Sequence, residues 1–284
     1  MKNILFKFSI LSFLMLLSTK PKAQEFQGQA FYFSKSKMEL GAWGARMSEA
    51  QKKQIQSQLK NRLEKTYILN FNKEESLWNE EEKLDGISGA TDSWGKNFSS
   101  GEQYKNVKQN ELIQSQEFYG KQFLVKDKLL LIEWKMGTES KKIGQYMCFK
   151  ATALVPTSDL TWYSFSWSNL RSNTSENIAD SSGAVNKKED IQMTEIEAWY
   201  TPQIPVSNGP SKFQGLPGLI LELSYDSNTI LCSKVILNPT KPITIKSPKK
   251  GETVSQPEYD RIVEKKMDEM SQRGPVRVQI EVMD

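Results

Sequence analysis

Hydrophobic and polar residues alternate along much of the chain, which is the pattern of β-strands that bury one face. The first such stretch, FQGQAFYFSKSKM, covers residues 26–38, and a second begins with Tyr67, Leu69 and Phe71. From Leu112 onward, short strands follow one another with turn-like breaks, such as 137–142, and no helix between them. These predicted strands are residues 112–118, 121–127, 129–136, 144–154, 160–167, 191–202, 218–226 and 229–238. The series predicts an antiparallel meander.

Two other segments carry the helical period. Ser48 and Gln51 have the spacing of a capping box, and apolar residues then recur at every fourth position up to Leu63. Ser255 and Glu258 repeat the capping box before a second helix that Gly274 can end. The apolar side of this second helix consists of Tyr259, Ile262, Val263, Met267 and Met270. The predicted fold is therefore mainly β (α+β): a curved antiparallel sheet or half-barrel meander with an N-terminal and a C-terminal flanking helix.

The remaining segments look like additions to one domain, predicted for residues 24–284. The glycine-rich stretch 85–101 and the Ser- and Asn-rich stretch 168–190 are predicted to be exposed insertions. Residues 275–282 alternate again and predict a final edge strand.

The first 23 residues have the layout of a cleaved secretory signal. Lys2 and Lys7 provide a basic start, residues 4–17 are mostly apolar, and Ala23 is a small residue at the predicted cut. The apolar run is too short for a membrane span of roughly 20 residues. The protein is therefore predicted to be periplasmic or secreted, with no transmembrane segment after the signal is removed.

The charge balance changes when this leader is removed. The whole chain has 38 basic and 34 acidic residues, hence +4. The leader contains four lysines and no acid, so the rest balances at 34 minus 34, or zero. A neutral chain lacks the basic surface that nucleic-acid binding needs, and no nucleic-acid partner is predicted.

Histidine is absent from the sequence. This excludes, within the chain, a Ser-His-Asp triad, a Cys-His dyad and the histidine-based zinc sites. Lysine-assisted serine chemistry remains conceivable at the two S-x-x-K matches that begin at Ser34 and Ser247, and carboxylate chemistry at Glu195 and Glu197. Such matches are expected by chance in this composition, so no catalytic, cofactor-binding or metal-binding residue is predicted.

Cys148 and Cys232 are the two cysteines. In an oxidising compartment a pair of cysteines favours a disulfide. Two buried free thiols, or a soft-metal site that includes Met147, are the less favoured alternatives.

The stretch KFQGLPGLILEL, residues 212–223, predicts a turn that leads into a central strand. It lacks the spacing of phosphate-binding loops, and Pro217 removes a backbone N–H that such a loop needs. We expect a type II turn with positive φ at Gly218, while Gly215 lets the chain pass close to a neighbour. Glu222 in the following strand is expected to reach solvent or a lysine.

The six residues GLPGLI at 215–220 resemble the signature of the GLPGLI family of exported Bacteroidetes proteins. KKIGQYMCFKAT, AWYTPQIPVSNGPSKFQGLPGLILEL and EYDRIVEKK are similar to further elements of that family. The resemblance implies a cell-envelope protein, often associated with TonB-dependent outer-membrane receptor systems, and it brings no catalytic residues.

The leading functional hypothesis is a non-enzymatic accessory or binding protein, with an outer-membrane receptor or another envelope protein as partner. Its candidate binding surface is the block around Trp199, Tyr200, Pro205 and Pro210, whose alternative role is to shape the core and a rigid turn. The alternatives are a periplasmic carrier of a lipid or other apolar ligand and a hydrolase that works without histidine.

Overall fold

The computed structural model describes residues 26–36, 47–54, 63–81, 101–160 and 192–272. The first strands are β1 (Gln27–Ser36), β2 (Glu64–Asn72), β3 (Glu75–Glu80), β4 (Gln103–Asn106), β5 (Glu111–Phe118) and β6 (Lys121–Asp127). They are followed by β7 (Lys135–Ile143), β8 (Tyr146–Pro156), the short helix α1 (Thr157–Leu160), β9 (Met193–Thr201), β10 (Leu219–Tyr225) and β11 (Asn228–Leu237). The last elements are β12 (Glu252–Ser255) and the helix α2 (Gln256–Gln272).

The twelve strands of the described residues belong to one open sheet in the order β12-β6-β5-β4-β3-β2-β1-β11-β10-β9-β8-β7. The neighbours pair antiparallel except β12 and β6, which are parallel. The prediction of a mainly β protein is confirmed, but the sheet is mixed rather than purely antiparallel. The predicted central strand is β10, which lies between β9 and β11.

Alternate residues of each strand point to one face of the sheet, here called the core face. It includes Tyr32 of β1, Leu69 of β2, Trp78 of β3 and Ala198 of β9, all buried. Two pieces of the same chain cover it. The first is the plug loop, residues 202–218, which joins β9 to β10. The second is α2, which packs on β6.

The sequence placed one strand and one turn incorrectly. Residues 128–134 form no strand, and the predicted turn at 137–142 is the interior of β7. Leu129 and Ile132 are buried, but the backbone there is held by the plug loop: Gln214 Nε2 donates to Leu130 O (3.1 Å). The apolar run therefore marked a buried extended segment, while β7 is a mostly exposed edge strand with no apolar alternation.

Both predicted capping boxes are present. Ser48 N donates to Gln51 Oε1 (2.9 Å), and residues 49–54 are helical. Ser255 N donates to Glu258 Oε2 (2.8 Å) at the start of α2. Among the described residues, no helix has the length and apolarity required to cross a bilayer.

Several predictions lie outside the described residues. They are the leader (1–23), the body of the N-terminal helix including Ile55 and Leu59, most of the segment 85–101, residues 161–167 of the strand predicted at 160–167, the insertion 168–190, the side chain of Met270, and the final strand at 275–282. The first residue of that predicted strand, Leu160, lies in α1.

Candidate binding surface

The plug loop places four apolar side chains against the core face. Ile204, Val206, Phe213 and Leu216 are each at most 2% exposed. The loop is also tied to β10 through its backbone, since Leu219 N donates to Ile204 O (3.0 Å) and Ile220 N to Asn208 O (3.0 Å). The core face in this region is therefore filled by the protein's own residues.

The two signature glycines have exchanged the roles expected from the sequence. Gly215, and not Gly218, has positive φ (101°). A Cβ on Gly218 would lie 2.2 Å from Thr201 O, so this glycine is required by the close approach of two backbones. The predicted type II turn with positive φ at Gly218 is therefore wrong, although Pro217 does lie in the bend before β10.

A buried lysine lies beneath the plug loop. Lys105, on the core face of β4, is 0% exposed, and its Nζ donates to Gly209 O (2.8 Å) and Phe213 O (3.1 Å). Burial lowers the pKa of Lys105 to about 7. Its hydrogen bonds to two main-chain carbonyls make Lys105 a fixed attachment point for the loop.

Further buried polar groups join the loop to the sheet. Ser76 Oγ donates to Asn208 Oδ1 (3.2 Å), and Ser211 Oγ donates to Gln103 Oε1 (2.9 Å). The sequence analysis missed this polar layer and Lys105. The signal was weak because QYKN, the sequence of β4, has no apolar alternation although all four residues are buried.

The four residues of the predicted binding surface do not form one wall. Trp199 and Tyr200 are consecutive in β9 and therefore point to opposite faces of the sheet. Tyr200 lies on the core face with Ala198, and Trp199 lies on the other face, here called the outer face. In the plug loop, Pro205 is exposed whereas Pro210 is buried. Of these four residues, only Trp199 belongs to the group of neighbouring side chains on the outer face that is described next.

That set is a row of residues that the strand register places side by side on the outer face. The row runs through Thr66, Phe33, Leu231, Glu222, Trp199 and Lys150, on β2, β1, β11, β10, β9 and β8. Directly opposed residues of paired strands share a face. Phe33 and Leu231, the second and third residues of this outer-face row, are 37% and 40% exposed. The sequence analysis missed their pairing because it depends on a long-range register.

Trp199 is enclosed by charged groups. Lys141 Nζ lies 4.2 Å from the centre of the indole ring and 2.7 Å from Glu222 Oε2. The expected lysine partner of Glu222 is thus Lys141. On the other side, the Trp199 Nε1 donates to Glu197 Oε1 (2.8 Å), and Lys150 Nζ lies 2.9 Å from Glu197 Oε2. Partial burial raises the pKa of Glu197, but these hydrogen bonds outweigh it and the net shift is downward.

The predicted disulfide is not formed in the structure. Cys148 and Cys232 are both buried free thiols, on β8 and β11. Strands β9 and β10 lie between those two strands in the sheet. Burial raises the pKa of Cys148 to about 11 and that of Cys232 to about 12. Cys232 also lines a cleft of about 250 Å³ between the β7–β8 turn and β11.

The residues considered for hydrolysis are not brought together. Ser34 lies on the core face of β1, and its lysine at position 37 is outside the described residues. Ser247 Oγ donates to Pro248 O (3.4 Å). Glu197 is ion-paired to Lys150 beside Trp199, and Glu195 is exposed. Within the described ranges, no group of three or more Cys, Asp or Glu side chains is placed to hold a metal ion.

The fold and this surface define an open, mostly β protein whose core face is covered in part by its own plug loop and in part by α2. A family model described as "Protein of unknown function (Porph_ging)" matches residues 134–222, from β7 through most of β10. That description does not carry the GLPGLI name, so membership of the GLPGLI family stays a prediction. No curated protein matches the chain.

Two solved structures are similar to the chain, both of PNGF-II, in the C2 and P21 space groups. Each gives a TM-score of 0.47, with 16% and 17% sequence identity. The alignment covers 84% of this chain and 33% of the PNGF-II chains. The chain thus spans one third of the length of those proteins.

Proposed function

We propose that the protein is an exported, non-enzymatic binding protein of the cell envelope that docks a protein partner on its outer-face row. The secretory layout of residues 1–23 supports export. The resemblance to the GLPGLI family supports the envelope and an outer-membrane receptor system of the TonB-dependent type as the setting.

The outer-face row has the anatomy of a protein interface. Its centre is apolar, because Phe33 lies opposite Leu231 and both are more than a third exposed. Phe31, two residues before Phe33, extends this centre and is covered by Lys234 Nζ at 5.4 Å from the ring centre. An apolar centre surrounded by polar groups is the arrangement that protein partners use.

Most charges of the polar rim are already paired; Lys234, which lies over the Phe31 ring, forms no ion pair within the described residues. Lys35 lies 3.4 Å from Glu64 at one end of the surface. Lys141 pairs with Glu222, and Lys150 with Glu197, at the other end. A partner that covers these pairs leaves no single charge buried without its counterion, which would be costly. The rim therefore suits a protein surface better than a polyanion.

The observation that carries the proposal is the register across six strands. It fixes Phe33 and Leu231 on a rigid sheet, so their exposure does not depend on a loop conformation. The filled core face supports docking on the surface rather than carriage of an apolar ligand inside the sheet.

A photo-crosslinking amino acid at position 33 tests the proposal in intact cells. We expect a specific adduct with one envelope protein, identified by mass spectrometry. The matched control carries the crosslinker at Leu131, which is 85% exposed but lies away from the row. The identified partner is then purified, and its affinity is measured for the native chain and for Leu231→Glu.

We expect Leu231→Glu to weaken that affinity at least tenfold, because it places a charge at the apolar centre, and Leu131→Glu to leave it unchanged. The proposal fails if position 33 gives no adduct beyond that of position 131 while the protein remains folded. It also fails if the purified partner binds Leu231→Glu as tightly as the native chain.

A further inference from the structure

The three longest connections between strands are residues 37–63, 81–102 and 157–192. The strands that they join all begin or end at the same end of the sheet, here called the loop end. Ser36, at the end of β1, lies opposite Asn228, and Glu80, at the end of β3, lies opposite Tyr67. The end of β8 lies opposite the start of β9 at this same edge. Binding residues concentrate where a rigid scaffold gathers long connections, which makes the core face at this end a candidate ligand site.

Two tyrosines at the loop end have hydroxyl groups that form no hydrogen bond with the described residues. Tyr67 stacks on Trp78, with ring centres 4.7 Å apart, and Tyr225 packs against Phe213 at 5.6 Å. Both are half-buried, and no hydrogen bond within the described part of the chain reaches either hydroxyl. By contrast, the fully buried Tyr32 donates to Ile220 O (2.7 Å).

Both tyrosines lie on the core face, Tyr67 on β2 and Tyr225 on β10, with β1 and β11 between these two strands. Burial is the main cause of the raised pKa of Tyr67, and negative charge on Glu80 and on Tyr225 adds to it. Burial also raises the pKa of Tyr225 to about 12. Both phenols are therefore neutral donors over the physiological pH range, and both are held against aromatic side chains on the core face.

The groups around them are polar and carry both signs of charge, and Asp226 adds a negative charge near Tyr225 that also raises its pKa. Lys65 Nζ is 2.8 Å from Glu80 Oε2, and Ser34 is opposite Lys65 on the same face. Ser36 Oγ donates to Asn228 Oδ1 (2.5 Å). The loop end thus offers hydroxyl, amide, ammonium and carboxylate groups, which are both donors and acceptors, beside aromatic rings.

We propose that the loop-end site, defined by Tyr67, Tyr225, Ser34, Lys65 and Glu80, binds a neutral saccharide. Each saccharide hydroxyl both donates and accepts, which matches this mixed set of groups, and the C–H faces of sugar rings pack on aromatic side chains. A phosphate or acidic ligand would compete with Glu80 for Lys65. A purely apolar ligand would leave the two phenol hydroxyls buried without partners, which is unfavourable.

The test uses an array of neutral, sulfated and sialylated oligosaccharides, followed by calorimetric titration of the best binder with the purified chain. We expect binding to neutral members in preference to acidic ones. Tyr67→Phe and Tyr225→Phe remove only the hydroxyl groups, and each should weaken binding about tenfold. Tyr104→Phe is the matched control: its hydroxyl is bonded to Glu75 on the outer face, and binding should stay unchanged.

Three results would overturn the proposal: no neutral oligosaccharide binds, acidic members bind equally well, or both phenylalanine variants bind like the native chain while remaining folded. Leu231→Glu separates this site from the outer-face row. It should weaken docking of the protein partner at least tenfold and leave saccharide binding intact, so either proposal can fail without the other.

Discussion

Lys105 is a buried lysine whose ammonium group is bonded to two backbone carbonyls of the plug loop. Burial lowers its pKa to about 7 in the folded protein, whereas an unfolded lysine titrates near 10.5. Below pH 7 the group is protonated in both states, and the folded state bears the full cost of the buried charge. Between pH 7 and about 10.5 only the unfolded state keeps the proton, so this cost is relieved as the pH rises.

We therefore expect the free energy of unfolding to increase with pH between pH 7 and about 10.5 because of Lys105. The increase from this one group is at most about 1.4 kcal/mol per pH unit. Urea unfolding at pH 7, 8 and 9 measures the slope. Lys105→Met should remove this component, whereas the exposed-lysine control Lys108→Met should retain it. Equal slopes for the native chain and Lys105→Met would contradict the assignment.

Gly218 should tolerate no side chain. A Cβ would lie 2.2 Å from Thr201 O, a backbone atom that cannot move without displacing β9. We expect Gly218→Ala to lower the free energy of unfolding by about 1–3 kcal/mol. Gly137→Ala is the control, because its Cβ would lie 3.2 Å from the nearest atom, Lys150 O. Equal effects of the two substitutions, measured by urea unfolding, would show that the close approach at Gly218 is not limiting.

Single residues were the least predictable part of the structure. The signature shows that Gly215 and Gly218 matter, but strand-to-loop distances decide which one needs positive φ. The burial of Lys105 could not be predicted, because a lysine in a polar segment is expected at the surface. Only the plug loop, which covers it in the folded structure, makes it a buried residue. In the candidate binding surface, Trp199 was identified because it lies in a segment with aromatic residues and prolines. Phe33 and Leu231 were missed because they are 198 positions apart in the sequence (231 minus 33) and only strand pairing brings them together.

The helix α2 and the strands beneath it form a small core of their own. Tyr259, Val263 and Met267 pack on Phe118, Phe123, Val125 and Val254, separately from the main cluster. Truncation of the buried Met267 to alanine should lower the free energy of unfolding by about 2–5 kcal/mol. Hydrogen exchange should show faster exchange in α2 and β6 and little change in β9 and β10.

Met147→Ala is the control for this element, because Met147 is 44% exposed and its loss should change stability by less than about 0.5 kcal/mol. If Met267→Ala accelerates exchange evenly through β9 and β10 as well, the two cores unfold as one unit, and the separation of α2 is wrong.

Elements with a strong local signal were predicted, and those with a weak one were missed. The capping box of α2 and the alternation in β5, β6, β8, β9, β10 and β11 are local properties, and the structure contains all of them. β4 and β12 have four residues each and little apolar alternation, so they are recognisable only from their neighbours. The prediction of a strand at residues 129–136 was wrong for the opposite reason. The apolar run there reflects burial of its side chains, and a buried segment need not pair as a strand.

The topology of the whole molecule follows only partly from the sequence. Consecutive short strands without helices predicted neighbours in an antiparallel sheet, and the order from β6 to β1 and from β11 to β7 fits that expectation. The pairing of β1 with β11 and the parallel pairing of β12 with β6 join distant parts of the chain. No local pattern encodes them, which is why the mixed character of the sheet was not predicted.

The state of the two cysteines depends on this global arrangement. A bond would close a loop of 232 minus 148, or 84, residues and stabilise the protein by roughly 4 kcal/mol in the chain-entropy account. The sheet instead separates their strands by β9 and β10, and both thiols are free. Burial also raises the pKa of both thiols, to about 11 and about 12, which disfavours the reactive thiolate.

We therefore expect iodoacetamide at pH 8 to modify neither cysteine in the native protein and both in urea without reductant. The intact mass should be the same before and after reduction, and a reductant should leave the midpoint of thermal unfolding unchanged. Cys148→Ser and Cys232→Ser should each lose one reactive thiol in urea. A mass that rises by about 2 Da on reduction, with no alkylation in urea until reductant is added, would instead demonstrate a disulfide. In that case reduction should lower the free energy of unfolding by several kcal/mol, and β8 and β11 must approach each other more closely than the sheet order now places them.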